Sequence, residues 1–407
     1  MSLHGAQNAV EPPFLISWNV TRRCPLKCRH CYLDSTDING AKDIPTEAAS
    51  KIIGTLKNFS PGAMLILTGG EPLLRPDINT LVKECAEAGF HTVIGTTGVG
   101  LTCEAAAALK NNGLKGAGLS IDSLDVKKND AFRGLEGAYD AAIKAADIFK
   151  QTNIPFQFQF SVTRANMHEI EDFACFAIDK GAVALNYFFL VCTGRGEDFT
   201  DLSMAEYEAA LERIAVIERK HSGKLMIRAR CAPHFARISG KTDTTGCIAA
   251  RGYMRISPEG HVTPCPYMQP EDTAAANIFD KPVEQIYSSA LFKKLRSPAY
   301  TGKCGDCSLA PDCGGCRARA LTKTGDIMAD DEFCSYVPVN SPQRPIASQK
   351  PIWTTEAEER LKNIPSFIRR FVKKGIEKYA EKNSITTITP ELITELKEKR
   401  AGGRFGI

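Results

Sequence analysis

The chain has 407 residues, 43% of them hydrophobic and 24% charged, with 51 Lys and Arg against 47 Asp and Glu for a net charge of +4. That length implies two or three domains, and the near-balanced charge, with no basic run interleaved with aromatics, argues against a nucleic-acid partner. No apolar run approaches the roughly 18 residues that cross a bilayer, and Met1–Pro13 lacks the features of a signal peptide, so a cytoplasmic chain without a membrane span is expected. Of 15 cysteines, 11 fall in two groups, at positions 24–31 and 231–334, while Cys85, Cys103, Cys175 and Cys192 are scattered. Without an export signal, clustered thiols read as metal ligands rather than disulfides, and scattered ones as core residues.

Phe14–Val20 reads as a buried strand. It feeds the stretch from Arg22 to Tyr32, in which Cys24, Cys28 and Cys31 stand at C-x3-C-x2-C spacing. Three thiolates this close suit three corners of a cubane iron–sulfur cluster. The fourth iron then has no protein ligand, which is wasteful in an electron carrier but lets a small molecule coordinate. Zinc is the alternative, but its sites favour C-x2-C pairs and four ligands. The stretch resembles the signature of the radical SAM superfamily. That resemblance implies that Cys24, Cys28 and Cys31 are both cluster ligands and catalytic residues, with Tyr32 beside the cofactor. It also implies that S-adenosylmethionine is cleaved reductively to a 5′-deoxyadenosyl radical, which abstracts hydrogen from substrate. Oxygen-sensitive clusters would suit an anaerobic or micro-aerobic setting.

Beyond this loop, helices and strands alternate. Helices are expected near Glu47–Asn58, Ile78–Ala88, Cys103–Asn111, Gly137–Thr152 and Ile170–Lys180, and strands at Met64–Leu67, His91–Ile94, Gly116–Ile121, Phe156–Val162 and Val183–Val191. Such alternation gives an α/β fold with a parallel sheet and right-handed crossovers. Its six units resemble the partial (β/α)6 barrel of radical SAM enzymes, with function at the carboxyl ends of the strands.

The loops at those ends carry further candidates. Gly69, Gly70, Glu71 and Pro72 follow the second strand. Glycines there let backbone carbonyls approach a ligand, and the carboxylate can accept from an ammonium. The run resembles the family's Gly-Gly-Glu-Pro motif, which implies that it holds the methionyl amine of the cofactor. Ser120 and Asp122, offset by two at the end of the fourth strand, could bond ribose hydroxyls, with strand-end capping as the alternative. Arg133-Gly134 resembles a pair in related enzymes, which implies contact with the cofactor carboxylate; a surface ion pair is the alternative. Gly194-Arg195-Gly196 after the sixth strand reads either as a substrate-facing loop or as a plain turn. Glu206–Lys220 reads as an amphipathic helix leading out of the barrel.

The second cysteine field opens with Cys231 and Cys247. Twelve residues separate Cys247 from Gly260 and four separate Gly260 from Cys265, across an expected β-hairpin with its turn at Pro258-Glu259-Gly260. Cys304, Cys307, Cys313 and Cys316 follow at C-x2-C-x5-C-x2-C spacing, then Cys334. A zinc ribbon is one reading of that spacing. The whole order resembles the SPASM domain of radical SAM enzymes, a small cysteine-rich α+β appendage that binds auxiliary clusters. The resemblance implies one cluster on Cys304, Cys307, Cys313 and Cys334 and a second on Cys247, Cys265 and Cys316, with Cys231 as its candidate fourth ligand. The Cys313–Cys316 segment is one residue shorter than the common form, so either one or two auxiliary [4Fe-4S] clusters are expected beside the radical SAM cluster.

Val337–Pro351 holds four prolines and reads as a linker. After it, Thr355 and Glu358 suggest a capping box. Leu361, Ile364, Ile368, Phe371, Val372, Ile376 and Tyr379 then recur at helical spacing, and Thr389-Pro390 starts a last helix. This tail resembles the C-terminal domain of the light-independent protochlorophyllide reductase B subunit. The expected division is therefore 1–220 for the partial barrel, 221–336 for the SPASM-like domain, 337–351 for the linker and 352–407 for a small helical domain.

The tail's resemblance hints at tetrapyrroles, and the segment Cys316–Asp326 resembles the same region of the haem and haem d-type biosynthesis radical SAM enzymes. The function this implies is side-chain decarboxylation or deacetylation of a siroheme-derived tetrapyrrole, with the anionic macrocycle met by Arg317, Arg319 and the tail arginines Arg369 and Arg370. A maturase of a ribosomally made peptide is the alternative, disfavoured by the short stretch before the first strand. A non-enzymatic electron-transfer protein is a third reading. An electron donor such as ferredoxin or flavodoxin is the expected partner.

Overall fold

The computed structural model describes residues 10–35, 38–40, 42–196, 202–239, 246–338 and 351–364, with 369, 372–373, 375–377, 379–380, 383 and 385–401. Pro342 and Pro345 of the expected linker, and Arg370 and Phe371 of the tail, lie outside these residues.

The alternation produces the expected parallel sheet. Its strands are β1 (Leu15–Thr21), β2 (Met64–Gly69), β3 (His91–Thr96), β4 (Gly116–Ser120), β5 (Phe156–Val162) and β6 (Ala184–Phe189). The crossovers carry α1 (Thr46–Phe59), α2 (Ile78–Glu87), α3 (Cys103–Asn111), α4 (Val126–Arg133), α5 (Ala138–Gln151) and α6 (Ile170–Lys180). The sheet extends further than six strands. After β6, α7 (Met204–Lys220) returns the chain to β7 (Met226–Arg230), which pairs parallel with β6. Helix α7 is thus a sixth crossover and does not lead out of the barrel. Beyond β1 lie β8 (Tyr253–Ile256), parallel to β1, and β9 (Val262–Thr263), antiparallel to β8. The order is β7-β6-β5-β4-β3-β2-β1-β8-β9. Strand β7 is hidden in the sequence because Arg228 and Arg230 interrupt its apolar residues.

The period of two sorts the strand side chains. One face of the sheet packs on the helices through Ile16 and Trp18 of β1, Leu65 and Leu67 of β2, and Phe158 and Phe160 of β5, all fully buried. Phe160 meets Phe173 of α6 at 4.7 Å between ring centroids. The opposite, inner face carries Ser17 and Asn19 of β1, Gln157 and Gln159 of β5, and Asn186 of β6, set among apolar residues such as Ile66, Val93 and Phe188.

Two local readings shift. Arg133 closes the short helix α4, whose cap Asp125 accepts from Lys128 N–H at 3.0 Å and whose end is turned by Gly134 at φ 67°. In the tail the N-cap is Thr354, accepting from Ala357 N–H at 3.2 Å, one residue before Thr355. The tail has its own small core of Ala357, Ile376, Ala380, Ile388 and Ile393. A two-stranded parallel pair, β10 (Ile352–Trp353) and β11 (Thr387–Ile388), ties its ends together.

Candidate functional site

The carboxyl ends of β1 to β4 bring the first cysteine loop and the Gly-Gly-Glu-Pro turn together. Gly70 N–H donates to Thr21 carbonyl oxygen at 2.9 Å and Glu71 N–H to Arg23 carbonyl oxygen at 2.6 Å. A Cβ at Gly70 would collide with the carbonyl of Arg23, so only glycine lets the two loops pack this closely. Glu71 is fully buried and its oxygens are already filled. They accept from Thr96 Oγ1 at 2.7 Å, Thr97 N–H at 2.7 Å, Thr97 Oγ1 at 2.5 Å and Leu73 N–H at 3.1 Å. Burial raises its carboxyl above the usual range, against the lowering of these hydrogen bonds. Glu71 therefore pins the turn to the end of β3. The open groups there are the half-buried Gly69 and Gly70 backbone.

Cys24 and Cys28 are buried and Cys31 is partly so. Burial pushes the Cys24 thiol up to about 12, and raises Cys28 despite the nearby Arg133 charge. Arg133 is only 6% exposed, which excludes the surface ion pair. Its Nη2 lies 2.5 Å from Asp122 Oδ2, and its Nη1 donates to Cys28 Sγ at 3.9 Å. Asp122 Oδ1 accepts from Ser161 N–H at 2.7 Å. The Asp122–Arg133 pair thus aims a cation at a cysteine of the loop. Ser120 remains half-buried on the neighbouring inner face.

The loop is clamped from behind by residues whose role the sequence left open. Arg195 N–H donates to Cys31 carbonyl oxygen at 3.1 Å and Arg195 Nε to Cys28 carbonyl oxygen at 3.0 Å. A Cβ at Gly194 would lie 2.7 Å from Cys31 carbonyl oxygen. The Gly-Arg-Gly turn after β6 therefore holds the cysteine loop. His30 stacks on Phe132 at 4.6 Å, and burial pulls its imidazole down to about 4. Tyr32 Oη accepts from Asn19 at 3.0 Å, and its ring lies under Arg255 and edge-on to Tyr267 at 5.5 Å. Tyr32 so joins the first cysteine loop to the segment that carries Cys265.

The later cysteines fall into two groups. Burial raises Cys265, and Cys231, Cys247 and Cys316 push it the same way as near neighbours. Cys231 is driven to about 12, by burial first and then by Cys316, and it occupies left-handed backbone at φ 58°. Cys304 and Cys313 are raised to about 11 and about 12, mainly by burial, each with Cys334 as a neighbour. Cys307 follows Cys304 in one turn, its N–H donating to Cys304 carbonyl oxygen at 3.4 Å.

Arg317 and Arg319 are each only 2% exposed. Arg317 donates to the carbonyls of Ile327 at 3.0 Å and Ala329 at 2.8 Å. Arg319 Nη1 meets both oxygens of the fully buried Asp331, at 3.0 and 2.8 Å, and its Nη2 donates to Cys231 carbonyl oxygen at 3.1 Å. Neither is available to a macrocycle; both brace the cysteine field. Arg369 is committed to the Ile364 carbonyl at 3.1 Å.

Two other arginines went unnoticed in the sequence. Arg228 and Arg230 of β7 have no carboxylate partner among the described residues, and burial with the Arg230 charge beside it pulls Arg228 down to about 9. Their i, i+2 alternation with Ile227 and Ala229 was the available signal.

Among the described residues no three Cys, His, Asp or Glu side chains are arranged around a single ion. A cubane spreads its thiolates over separate irons, and the grouped sulfurs, all cysteine, fit such a cluster. The glycine turn and the half-buried Ser120 lie at the strand ends beside the cysteine loop, and Arg133 lies against Cys28.

Comparison with known proteins agrees. Residues 18–177 match the radical SAM superfamily, 247–308 an iron–sulfur cluster-binding SPASM domain, and 353–397 the proto-chlorophyllide reductase 57 kD subunit. Cys231, Cys313, Cys316 and Cys334 lie outside the SPASM match. The chain is 35% identical over 345 residues to the AdoMet-dependent heme synthase of Methanosarcina barkeri, covering 80% of this chain and 97% of the relative. It is 25% identical to the PqqA peptide cyclase of Methylorubrum populi, covering 91% and 95%. Streptococcus suis SuiB, solved with S-adenosylmethionine, shares the fold at TM-score 0.67 and 21% identity, over 80% of this chain and 78% of SuiB. No helix among the described residues is long and apolar enough to cross a membrane. The chain belongs to the radical SAM superfamily, in the same family as the AdoMet-dependent heme synthase of M. barkeri, and is an S-adenosylmethionine-dependent iron–sulfur enzyme.

Proposed function

We propose that the enzyme tailors a siroheme-derived tetrapyrrole by decarboxylating or deacetylating its side chains. The observation that carries this reading is the 35% identity to a heme synthase along 97% of that relative's length. The tail's match to a protochlorophyllide reductase subunit supports it.

In this reading Cys24, Cys28 and Cys31 hold the radical SAM cluster. Gly69, Gly70, Pro72, Tyr32 and Ser120 line the cofactor, with Glu71, Asp122 and Arg133 positioning that lining. Cys304, Cys307, Cys313 and Cys334 hold one auxiliary cluster and Cys231, Cys247, Cys265 and Cys316 a second. When bound, cluster and cofactor supply the deoxyadenosyl radical that attacks a substrate C–H. The protein orients that C–H and excludes water. A ferredoxin or flavodoxin supplies the electron. The division we propose follows the expected one, with the first unit carried on to β7. The peptide-maturase reading retains support from the peptide cyclase similarity.

The test is anaerobic. Reconstituted enzyme with reductant and S-adenosylmethionine is assayed for 5′-deoxyadenosine with each of several siroheme-derived porphyrins. Stimulation with a matching loss of mass from one porphyrin is expected. Cofactor cleavage indifferent to every porphyrin, but stimulated by a peptide, would overturn the reading.

A further inference from the structure

The inner face of the sheet runs from the strand ends at the first cysteine loop across to two arginines on β7 to which the reading above assigns no role. Strand register places Ser120, Gln159, Asn186 and Arg228 in one row across β4, β5, β6 and β7. The next row brings Ser161, Phe188 and Arg230 together. A Cβ at Gly118 would lie 2.5 Å from Gln159 Nε2, so Gln159 lies across the small residue beside it, on this same face. Three strand spacings, about 14 Å, separate Ser120 on the cofactor side from Arg228.

Both arginines are surrounded by protein, yet both keep part of their surface accessible. Both side chains therefore sit on the inner face without being sealed inside the protein. Arg230 Nε donates to Asn186 Oδ1 at 3.0 Å, and Arg228 has no hydrogen-bond partner among the described residues. The inner-face positions of the strands include three arginines, Arg228, Arg230 and Arg255, and no Asp or Glu. Arg255 is satisfied by Asn19 at 2.5 Å and Pro266 carbonyl oxygen at 3.2 Å. Two cations are left on this face with no carboxylate partner among the described residues, an arrangement that costs free energy until an anion arrives. Arginine suits carboxylates, which it can bind through two parallel hydrogen bonds.

We infer that Arg228 and Arg230 are the binding site for side-chain carboxylates of the substrate. This rests on the tetrapyrrole reading above and deepens it. The macrocycle's acids are anchored at β7, and the rest of it spans the inner face toward Ser120 and the cofactor. The adjoining Cys231 places this anchor beside the second cysteine field. A role as mere counter-charge to those cysteines would not depend on the ligand's acids.

The test titrates the reconstituted holoenzyme, followed by the porphyrin's absorbance. The probes are an iron porphyrin tetrapropionate and its fully methylated ester. Wild type is expected to favour the acid by about tenfold or more. R228Q/R230Q should lose that preference, and R228K/R230K should keep part of it. Removing two unpaired cations should leave the unfolding midpoint unchanged or higher; if R228Q/R230Q loses iron or stability, R228Q alone is titrated instead. A glutamine variant that keeps the wild-type preference overturns the inference, as does a wild type that binds acid and ester equally; both leave tetrapyrrole binding standing. A wild type that binds neither probe overturns the tetrapyrrole reading as well.

Discussion

The two cysteine fields are built on opposite principles. In the first, three thiols come from one short loop, and distant parts of the barrel hold its backbone: Arg195 from the turn after β6, Arg133 from α4 and Gly70 from the turn after β2. In the second, eight cysteines are drawn from Cys231 to Cys334, and the bracing comes from the same segment, chiefly Arg319 and Asp331. The first field depends on the barrel for its shape, whereas the second carries its own frame and leans on the barrel through β8 and Tyr32. Damage to the first should cost chemistry, and damage to the second's frame should cost folding.

The largest expected effect breaks the first field. Cys28→Ala removes a sulfur whose place no neighbouring side chain can take. Cleavage of S-adenosylmethionine by the reconstituted variant should fall to the rate without protein. The measurement is 5′-deoxyadenosine per chain, and cleavage near the wild-type rate would refute the assigned role of the loop.

The second prediction concerns the frame. Asp331 accepts from Cys316 N–H at 2.7 Å as well as from Arg319. Burial pushes its carboxyl up, but Arg319 and His234 outweigh that and hold it below the usual range. Asp331→Ala would leave Arg319 buried and uncompensated, at a cost of about 3–5 kcal/mol. Denaturant unfolding of the holoprotein should show that loss, together with reduced iron. A change under about 1 kcal/mol would mean that the pair merely offsets its own desolvation.

These contrasts explain what the sequence could reveal. The first cysteine loop was legible because its spacing is local, and β1 to β6 because their apolar runs alternate with helices. The roles of Glu71, Arg317 and Arg319 were not legible. A carboxylate beside glycines, or arginines beside cysteines, looks equally ready for a ligand or for the protein's own backbone, and only burial and partners decide. Glu71 met Thr96 and Thr97, 25 and 26 residues away, and Arg319 met Asp331. Cys231 was suggested only by resemblance; its proximity to Cys247, Cys265 and Cys316 depends on how β7 turns off the sheet. Strand β7 itself was missed because its inner-face arginines look like surface residues in a linear reading.

The smallest expected effect lies on α7, the crossover between the two fields. Its N-terminus is a capping box: Ser203 Oγ accepts from Glu206 N–H at 3.2 Å, and Glu206 accepts from Ser203 N–H at 2.7 Å. Arg164 also meets Glu206, at 2.8 Å. Its hydrogen bonds, with those from Ser203, lower the exposed Glu206 carboxyl to about 2. Because the folded value lies below the unfolded value of about 4.3, the charged form favours folding. That contribution is complete above the unfolded value and disappears as pH falls through the folded one. Glu206→Gln should therefore flatten the acid limb of stability between about pH 4.3 and 2, a window set by the two values, and leave neutral pH little changed. Thermal midpoints of wild type and variant across that window make the check. Parallel curves would mean that the box and the Arg164 contact do not outlast solvent screening, and that α7 is fixed between the fields by its buried face of Tyr207, Leu211 and Ile214 alone.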